Sequence, residues 1–134
     1  MKLAAVAVVL LACVGCDEKE RATRSEAANL SRAIDAVRTA DNAHKSAPLA
    51  ALRAVACSAP EVCAVRSHCV AAYETHVAAL GLVDEAKATV ATAPAASVAA
   101  ILASAERGLG QAKTATDECA TRQGEMVRRF HVGR

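Results

Sequence analysis

Large aromatic side chains are almost absent from this chain. It has no tryptophan, and Tyr73 and Phe130 are its only aromatic residues. About a quarter of the 134 residues are alanine, which is the best helix former but contributes little apolar area to a core. The composition therefore excludes a bulky core and predicts long helices whose axes lie close together.

Motifs of catalysis and of nucleic-acid binding are also missing. The sequence has no nucleophile elbow, no phosphate-binding loop and no zinc-protease motif. Its 16 basic and 14 acidic residues are spread along the chain, for a formal net charge of +2, so no basic tract indicates nucleic-acid binding. We therefore expect no enzymatic activity, no cofactor and no nucleic-acid partner.

The N-terminus has the layout of an export signal. One lysine precedes an apolar stretch from Leu3 to Leu11, and the chain becomes charged at Asp17. This stretch is too short for a membrane-spanning helix, which needs about 20 apolar residues. We interpret residues 1–15 as a signal peptide and residues 16–24 as a charged tether or a frayed helix start.

The end of this segment resembles the lipobox of bacterial lipoproteins. "LLAC" (10–13) and "CVGC" (13–16) both place a small residue before a cysteine. The resemblance covers about the first 17 residues and implies an acylated N-terminal cysteine. Its acyl chains would anchor the protein to a membrane of the cell envelope, facing the periplasm. Both the inner and the outer membrane are compatible with this expectation.

Two cysteines compete for the acyl chains. Leu10 suits the position three before Cys13, but cleavage there leaves a signal of only twelve residues. Acylation of Cys16 leaves four cysteines that can all pair in an oxidising compartment, whereas acylation of Cys13 leaves an odd thiol. We predict acylation of Cys16, with Cys13 as the alternative. A cleaved signal without lipid is the remaining possibility.

Apolar residues recur at helical spacing through the rest of the chain. The pattern predicts one all-α domain over residues 25–134, an antiparallel helical bundle built on a long helical hairpin. Ser58 and Glu61 form a capping-box signature at the start of the third helix. Residues 88–105 carry no charge, but Pro94 and the small side chains around it favour a hairpin tip over a membrane span. The predicted helices cover residues 25–45, 48–57, 59–91 and 95–131.

Three of these helices have a clear apolar stripe. The stripe of the first helix consists of Ala27, Leu30, Ile34 and Val37, with Asp41 and His44 on its continuation. The stripe of the third helix consists of Val62, Val65, Cys69, Ala72 or Tyr73, His76, Leu80, Val83 and Val90. The stripe of the last helix consists of Val98, Leu102, Ala105, Leu109, Ala112, Thr116, Cys119, Gln123, Met126 and Phe130.

The hairpin turn indicates how the four remaining cysteines pair. Cys69 and Cys119 each lie 25 residues from Pro94, so they are level with each other in an antiparallel hairpin. Cys57 and Cys63 are then left to pair with each other. Residues six apart in a continuous helix could not form a disulfide, but the helix break at Pro60 removes this obstacle. The two other connectivities join Cys119 to a cysteine at a different level. We predict the disulfides Cys57–Cys63 and Cys69–Cys119.

An alternative use of these residues is a metal or haem centre. The candidate ligands are Cys63, His68, Cys69, His76, Met126 and His131. The chain has no C-x-x-C or C-x-x-C-H motif, and its cysteine spacing does not match the usual zinc or c-type haem sites. We therefore expect no metal site, and we interpret His44 and His131 as solvated residues near helix ends.

Two functions remain as hypotheses at this point. The first is a non-catalytic envelope lipoprotein that presents helical surfaces to a protein partner or to the cell wall. The alternative is a periplasmic metal-binding or electron-transfer helical protein that uses His, Cys or Met ligands.

Overall fold

Four α-helices and one short 3-10 helix make up the fold in the computed structural model, which describes the backbone of residues 4–133 and the side chains of residues 17–133. The predicted all-α class and the helical bundle are confirmed. The described residues contain no β-strand. The helices are α1 (Ala4–Thr39), α2 (Ser46–Ala54), α3 (Pro60–Thr89) and α4 (Ala95–Arg129), with the 3-10 helix at Asn42–His44.

The first helix is longer at its start and shorter at its end than expected. Residues 17–24, expected as a tether or a frayed helix start, are helical. Pairs one turn apart, Arg21 with Asp17 and Arg24 with Glu20, support this part of the helix. The helix ends at Thr39 because the next residues turn into the 3-10 helix. Cys13 and Cys16 lie outside the residues whose side chains are described, so the signal peptide and the acylation remain predictions.

Prolines lie in the first turns of α2 and α3, as the sequence predicts, but the predicted capping box of α3 is absent. Pro48 lies in the first turn of α2, where a proline is tolerated. Pro60 is the first residue of α3. The expected capping box does not form, because Glu61 pairs with Arg129 at 2.7 Å instead of reaching back to Ser58. A side chain from α1, described below, instead accepts hydrogen bonds from the two residues just before α3.

A contiguous core lies at one end of the molecule, which we call the base. The expected stripe of α1, consisting of Ala27, Leu30, Ile34 and Val37, is completely buried there. α1 packs there against α2, α3 and α4, and α2 packs against α1 and α3. The core residues of α3 lie in its first half and those of α4 in its second half. The other core residues are Leu49, Leu52, Val62, Cys69, Ala72, Tyr73, Cys119 and Met126.

The remaining parts of α3 and α4 extend beyond α1 as a two-helix hairpin. The contact between His76 of α3 and Asn42, just after α1, marks where this hairpin begins. We call residues 77–111, which lie beyond it, the distal hairpin. Inside it the buried residues are Ala79, Ala86, Val98 and Ala105. The sequence pattern predicts Leu80, Val83 and Val90 on the buried stripe of α3, but the structure buries Ala79 and Ala86 instead.

The reason for this difference is how closely the two helices approach. A Cβ atom built on Gly108 would lie 3.0 Å from the Cβ atom of Ala79. A side chain larger than alanine at position 79, or larger than glycine at position 108, would therefore not fit between the two backbones. Only alanine and glycine allow such an approach, and the bulkier leucines and valines are left at the edges of the contact.

Candidate functional site

Both expected cysteine pairs are present as disulfides. Cys69–Cys119 joins α3 to α4 across the core with a Cα–Cα distance of 5.0 Å, and both residues are fully buried. Cys57–Cys63 joins the loop before α3 to its first turn with a Cα–Cα distance of 5.5 Å. In this state none of the four offers a thiol to a metal or a substrate.

The candidate metal ligands are not brought together. Cys63 and Cys69 are consumed by the disulfides, and Met126 lies in the core. His131 is exposed, just after the end of α4. His68 has a buried Nε2 atom without a hydrogen-bond partner, with Glu118 Oε2 3.5 Å away. Among residues 17–133 no group of three or more His, Cys, Asp or Glu side chains could hold a metal ion.

Glu26 of α1 binds the start of α3. Its carboxylate accepts hydrogen bonds from the hydroxyl of Ser58 at 2.5 Å, the backbone N–H of Ser58 at 2.9 Å and the backbone N–H of Ala59 at 3.1 Å. These hydrogen bonds, that of the Ser58 hydroxyl first, lower the pKa of Glu26. The sequence gives no signal for this contact, because its partners lie 32 and 33 residues apart.

Lys45 binds the end of α1. The lysine is buried, and its Nζ donates to the backbone carbonyls of Val37 at 2.9 Å, Arg38 at 3.3 Å and Ala40 at 2.7 Å. A lysine ammonium has three donors, so all of them are used. The positive charge also lies at the negative end of the helix dipole, which is its favourable place.

A buried glutamine links α4 to α1. Gln123 Nε2 donates to the carbonyl and the hydroxyl of Ser31 and to Asp35 Oδ1, at 2.9–3.2 Å. Its Oε1 accepts a hydrogen bond from Arg38, and Arg38 also pairs with Asp35 at 3.0 Å. Gln123 was expected on the apolar stripe of α4, and its position there is confirmed by its burial.

A cleft of about 250 Å³ opens where α1 ends, and His76 lies on its wall with Arg38, Lys45, Tyr73 and Asp117. Burial and, second, the charge of Lys45 lower the pKa of His76, so the imidazole is neutral at neutral pH. Its Nε2 is 3.5 Å from Asn42 Oδ1. The cations that face this cleft are already bound elsewhere, Lys45 to carbonyls and Arg38 to Asp35.

The distal hairpin has an uncovered apolar face. Leu102 is 48% exposed and Val90 is 64% exposed, and Leu80, Val83 and Leu109 are partly exposed. We call these five residues the distal face. The sequence pattern predicts all five on the buried stripes, but the close approach of the two backbones leaves them outside.

No described helix is both long enough and apolar enough to cross a membrane. Comparison of the chain with protein-family models, with curated protein sequences and with solved structures finds no match.

Proposed function

We propose that this protein is a lipid-anchored, non-catalytic protein of the bacterial cell envelope. In this proposal the acylated N-terminus holds the base near the membrane, and the distal hairpin is an arm that contacts a protein partner. The lipobox-like sequence before Asp17 supports the anchor, and acyl chains contribute about 0.8 kcal/mol for each buried methylene.

The observation that carries the proposal is the direction of α1 relative to α3. Glu26 contacts Ser58 at the start of α3, and Asn42 contacts His76 in its middle, so the two helices run parallel. Residues 17–25 of α1, which follow the predicted anchor at Cys16, therefore lie at the opposite end of the molecule from the hairpin tip. With 30 residues in α3, the tip lies about 45 Å from the start of that helix.

The polar groups of the base support a structural role. Glu26 and Lys45 bind the ends of helices, and Gln123 links two helices. Their hydrogen bonds are used within the fold, and a catalytic site would need comparable groups directed at a substrate. The metal-binding alternative would need ligands that the disulfides have already taken.

Intact mass and cell fractionation of single variants test the anchor. We expect the protein extracted from membranes to begin at Cys16, to carry acyl chains and to contain two disulfides. Cys16→Ala should move the protein out of the membrane fraction, whereas Cys13→Ala should leave it there. A protein with a free N-terminus and no acyl mass in both fractions would contradict the proposal, and loss of anchoring with Cys13→Ala alone would assign the lipid to Cys13.

A further inference from the structure

The distal face continues the groove in which α1 lies. On α4, Leu102 and Leu109 are seven residues apart, and further steps of seven lead to Thr116 and then to Gln123, which contacts α1. On α3, Val90 and Val83 lead by the same step to His76, which contacts the loop after α1. Residues seven apart lie on nearly the same side of a helix, with a drift of about 20°. One groove between α3 and α4 therefore runs the length of the hairpin, and α1 fills only its first half.

The filled half indicates which kind of element the groove accepts. α1 presents a stripe with spacings of three and four residues, and all four of its members are fully buried: Ala27, Leu30, Ile34 and Val37. The helix packs along the groove parallel to α3. A helix with aliphatic residues at i, i+3 or i+4, and i+7 thus fits this groove.

The unfilled half has the length and the chemistry for a second such helix. From His76 to Val90 the groove extends over about 20 Å, which corresponds to about 14 helical residues. No charged residue occurs between Ala88 and Ala105, so little charge has to be desolvated near the tip. Contiguous exposed apolar surface is often a site of protein binding.

We infer that the distal face binds an amphipathic helix of a partner protein, laid into the groove beyond the end of α1. This inference rests on the proposed function, because it gives the partner-binding arm its contact surface. The partner helix is expected to carry three or four aliphatic residues on one side, as α1 does.

A second copy of this chain fits the face less well. In two copies anchored in one membrane, both hairpins point the same way and each carries its own α1 on the face that would have to meet. The two α1 helices would collide before the distal faces came into contact. A single partner helix has no such obstacle.

Photo-crosslinking of the full-length protein in its native cells tests this inference. We place a benzophenone amino acid at Leu102 in one variant and at Ala103 in the other. Ala103 is also exposed but lies about 100° further around the helix. We expect at least ten times more protein adduct from position 102, with the crosslinked peptide in a segment that has the aliphatic spacing of α1. Leu102→Glu should reduce recovery of that partner at least tenfold, and Ala103→Glu should leave it unchanged.

Several results would overturn the inference. They are equal adducts from both positions, no protein adduct from position 102, an adduct with a second copy of this chain, and an adduct with lipid. Circular dichroism of Leu102→Glu, whose side chain is half exposed, should show an unchanged melting temperature, and a loss of fold would direct the test to Val90→Glu at the more exposed position. If the protein is acylated and crosslinks from position 103 instead, the proposed function stands and only the distal face is wrong.

Discussion

At the scale of single residues, the carboxylate of Glu26 has the clearest consequence for stability. It accepts three hydrogen bonds from Ser58 and Ala59, the two residues before α3, and the typical net contribution of one hydrogen bond to stability is about 1 kcal/mol. We predict that Glu26→Gln lowers the free energy of unfolding by about 1 kcal/mol at pH 7. Glu20→Gln, at an exposed position of the same helix, should change it by less than about 0.5 kcal/mol.

The effect of Glu26 should depend on pH in a defined direction. Its pKa in the folded protein is lower than its ordinary value of 4.5, so its contribution is complete above that value and is lost as the pH falls through the folded pKa. Urea unfolding of wild type and Glu26→Gln at pH 7 and at pH 3 measures this. The difference between the two proteins should shrink at pH 3, and a constant difference would show that the carboxylate charge has no role.

Lys45 and His76 give a second prediction at this scale. Lys45 contributes to the lowered pKa of His76, so Lys45→Met should raise the pKa of His76, as followed by NMR of the ring protons. It should also cost about 2 kcal/mol, because the carbonyls at the end of α1 lose their donor. Lys87→Met, on the exposed surface of α3, is the control and should change neither quantity.

The same lowered pKa sets the sign of a pH effect on wild type. The unfolded chain takes up a proton on His76 near its ordinary pKa of 6.5, whereas the folded protein takes it up only at lower pH. The contribution of His76 to stability is therefore present above pH 6.5 and falls as the pH drops below it. If the NMR titration of Lys45→Met gave an unchanged or lower pKa for His76, the proposed influence of the lysine charge would be wrong.

At the scale of helices, the hairpin depends on how closely α3 approaches α4. Gly108→Leu should lower the free energy of unfolding by about 1–3 kcal/mol, because the new side chain has to displace Ala79 or separate the helices. Gly110 also lies within α4 but has no atom within 4 Å of a built Cβ. Gly110→Ala should raise stability by about 0.5–1 kcal/mol. Thermal unfolding of the two variants checks the contrast, and a destabilised Gly110→Ala would contradict the described packing.

Removal of the Cys69–Cys119 disulfide should change both the number of free thiols and the free energy of unfolding. Cys119→Ser should free the thiol of Cys69 and leave Cys57–Cys63 intact, so that thiol titration finds one free cysteine in the folded domain. On the chain-entropy model, opening a loop of about fifty residues costs about 4 kcal/mol. Denaturant unfolding of wild type and Cys119→Ser, both without reductant, measures this cost while Cys57–Cys63 stays closed. A mixture of disulfide isomers in Cys119→Ser would show that the 57–63 bond is not independent.

The hairpin register could be predicted from the sequence, and the helix caps could not. The register follows from a single turn at Pro94 and from the equal number of residues between this turn and each of the two cysteines. Both can be read directly from the sequence. The hydrogen bonds of Glu26, the cap from Lys45 and the contacts of Gln123 depend on side chains that meet only after the helices have packed. The stripe of the distal hairpin was misplaced for the same kind of reason, because helical spacing does not show how near two backbones come.

At the scale of the whole molecule, the base and the distal hairpin should differ in local stability. The contiguous core is confined to the base, where three or four helices pack together. The distal hairpin has only two helices, held by small side chains such as Ala79, Ala86 and Ala105. Local opening free energies follow buried apolar contact, so the distal hairpin should open without unfolding the base.

Hydrogen exchange followed by mass spectrometry tests this difference. We predict that amides in residues 80–89 and 96–107 exchange at least ten times faster than those in residues 65–75 and 114–125, although both regions are helical. The Cys69–Cys119 bond lies within the slow segments and ties both helices to the base, so the boundary between the two rates should lie between this bond and the tip. Equal protection along α3 and α4 would contradict the division. A partner helix in the groove should slow exchange in the distal segments alone, because it would supply the packing that α1 supplies to the base.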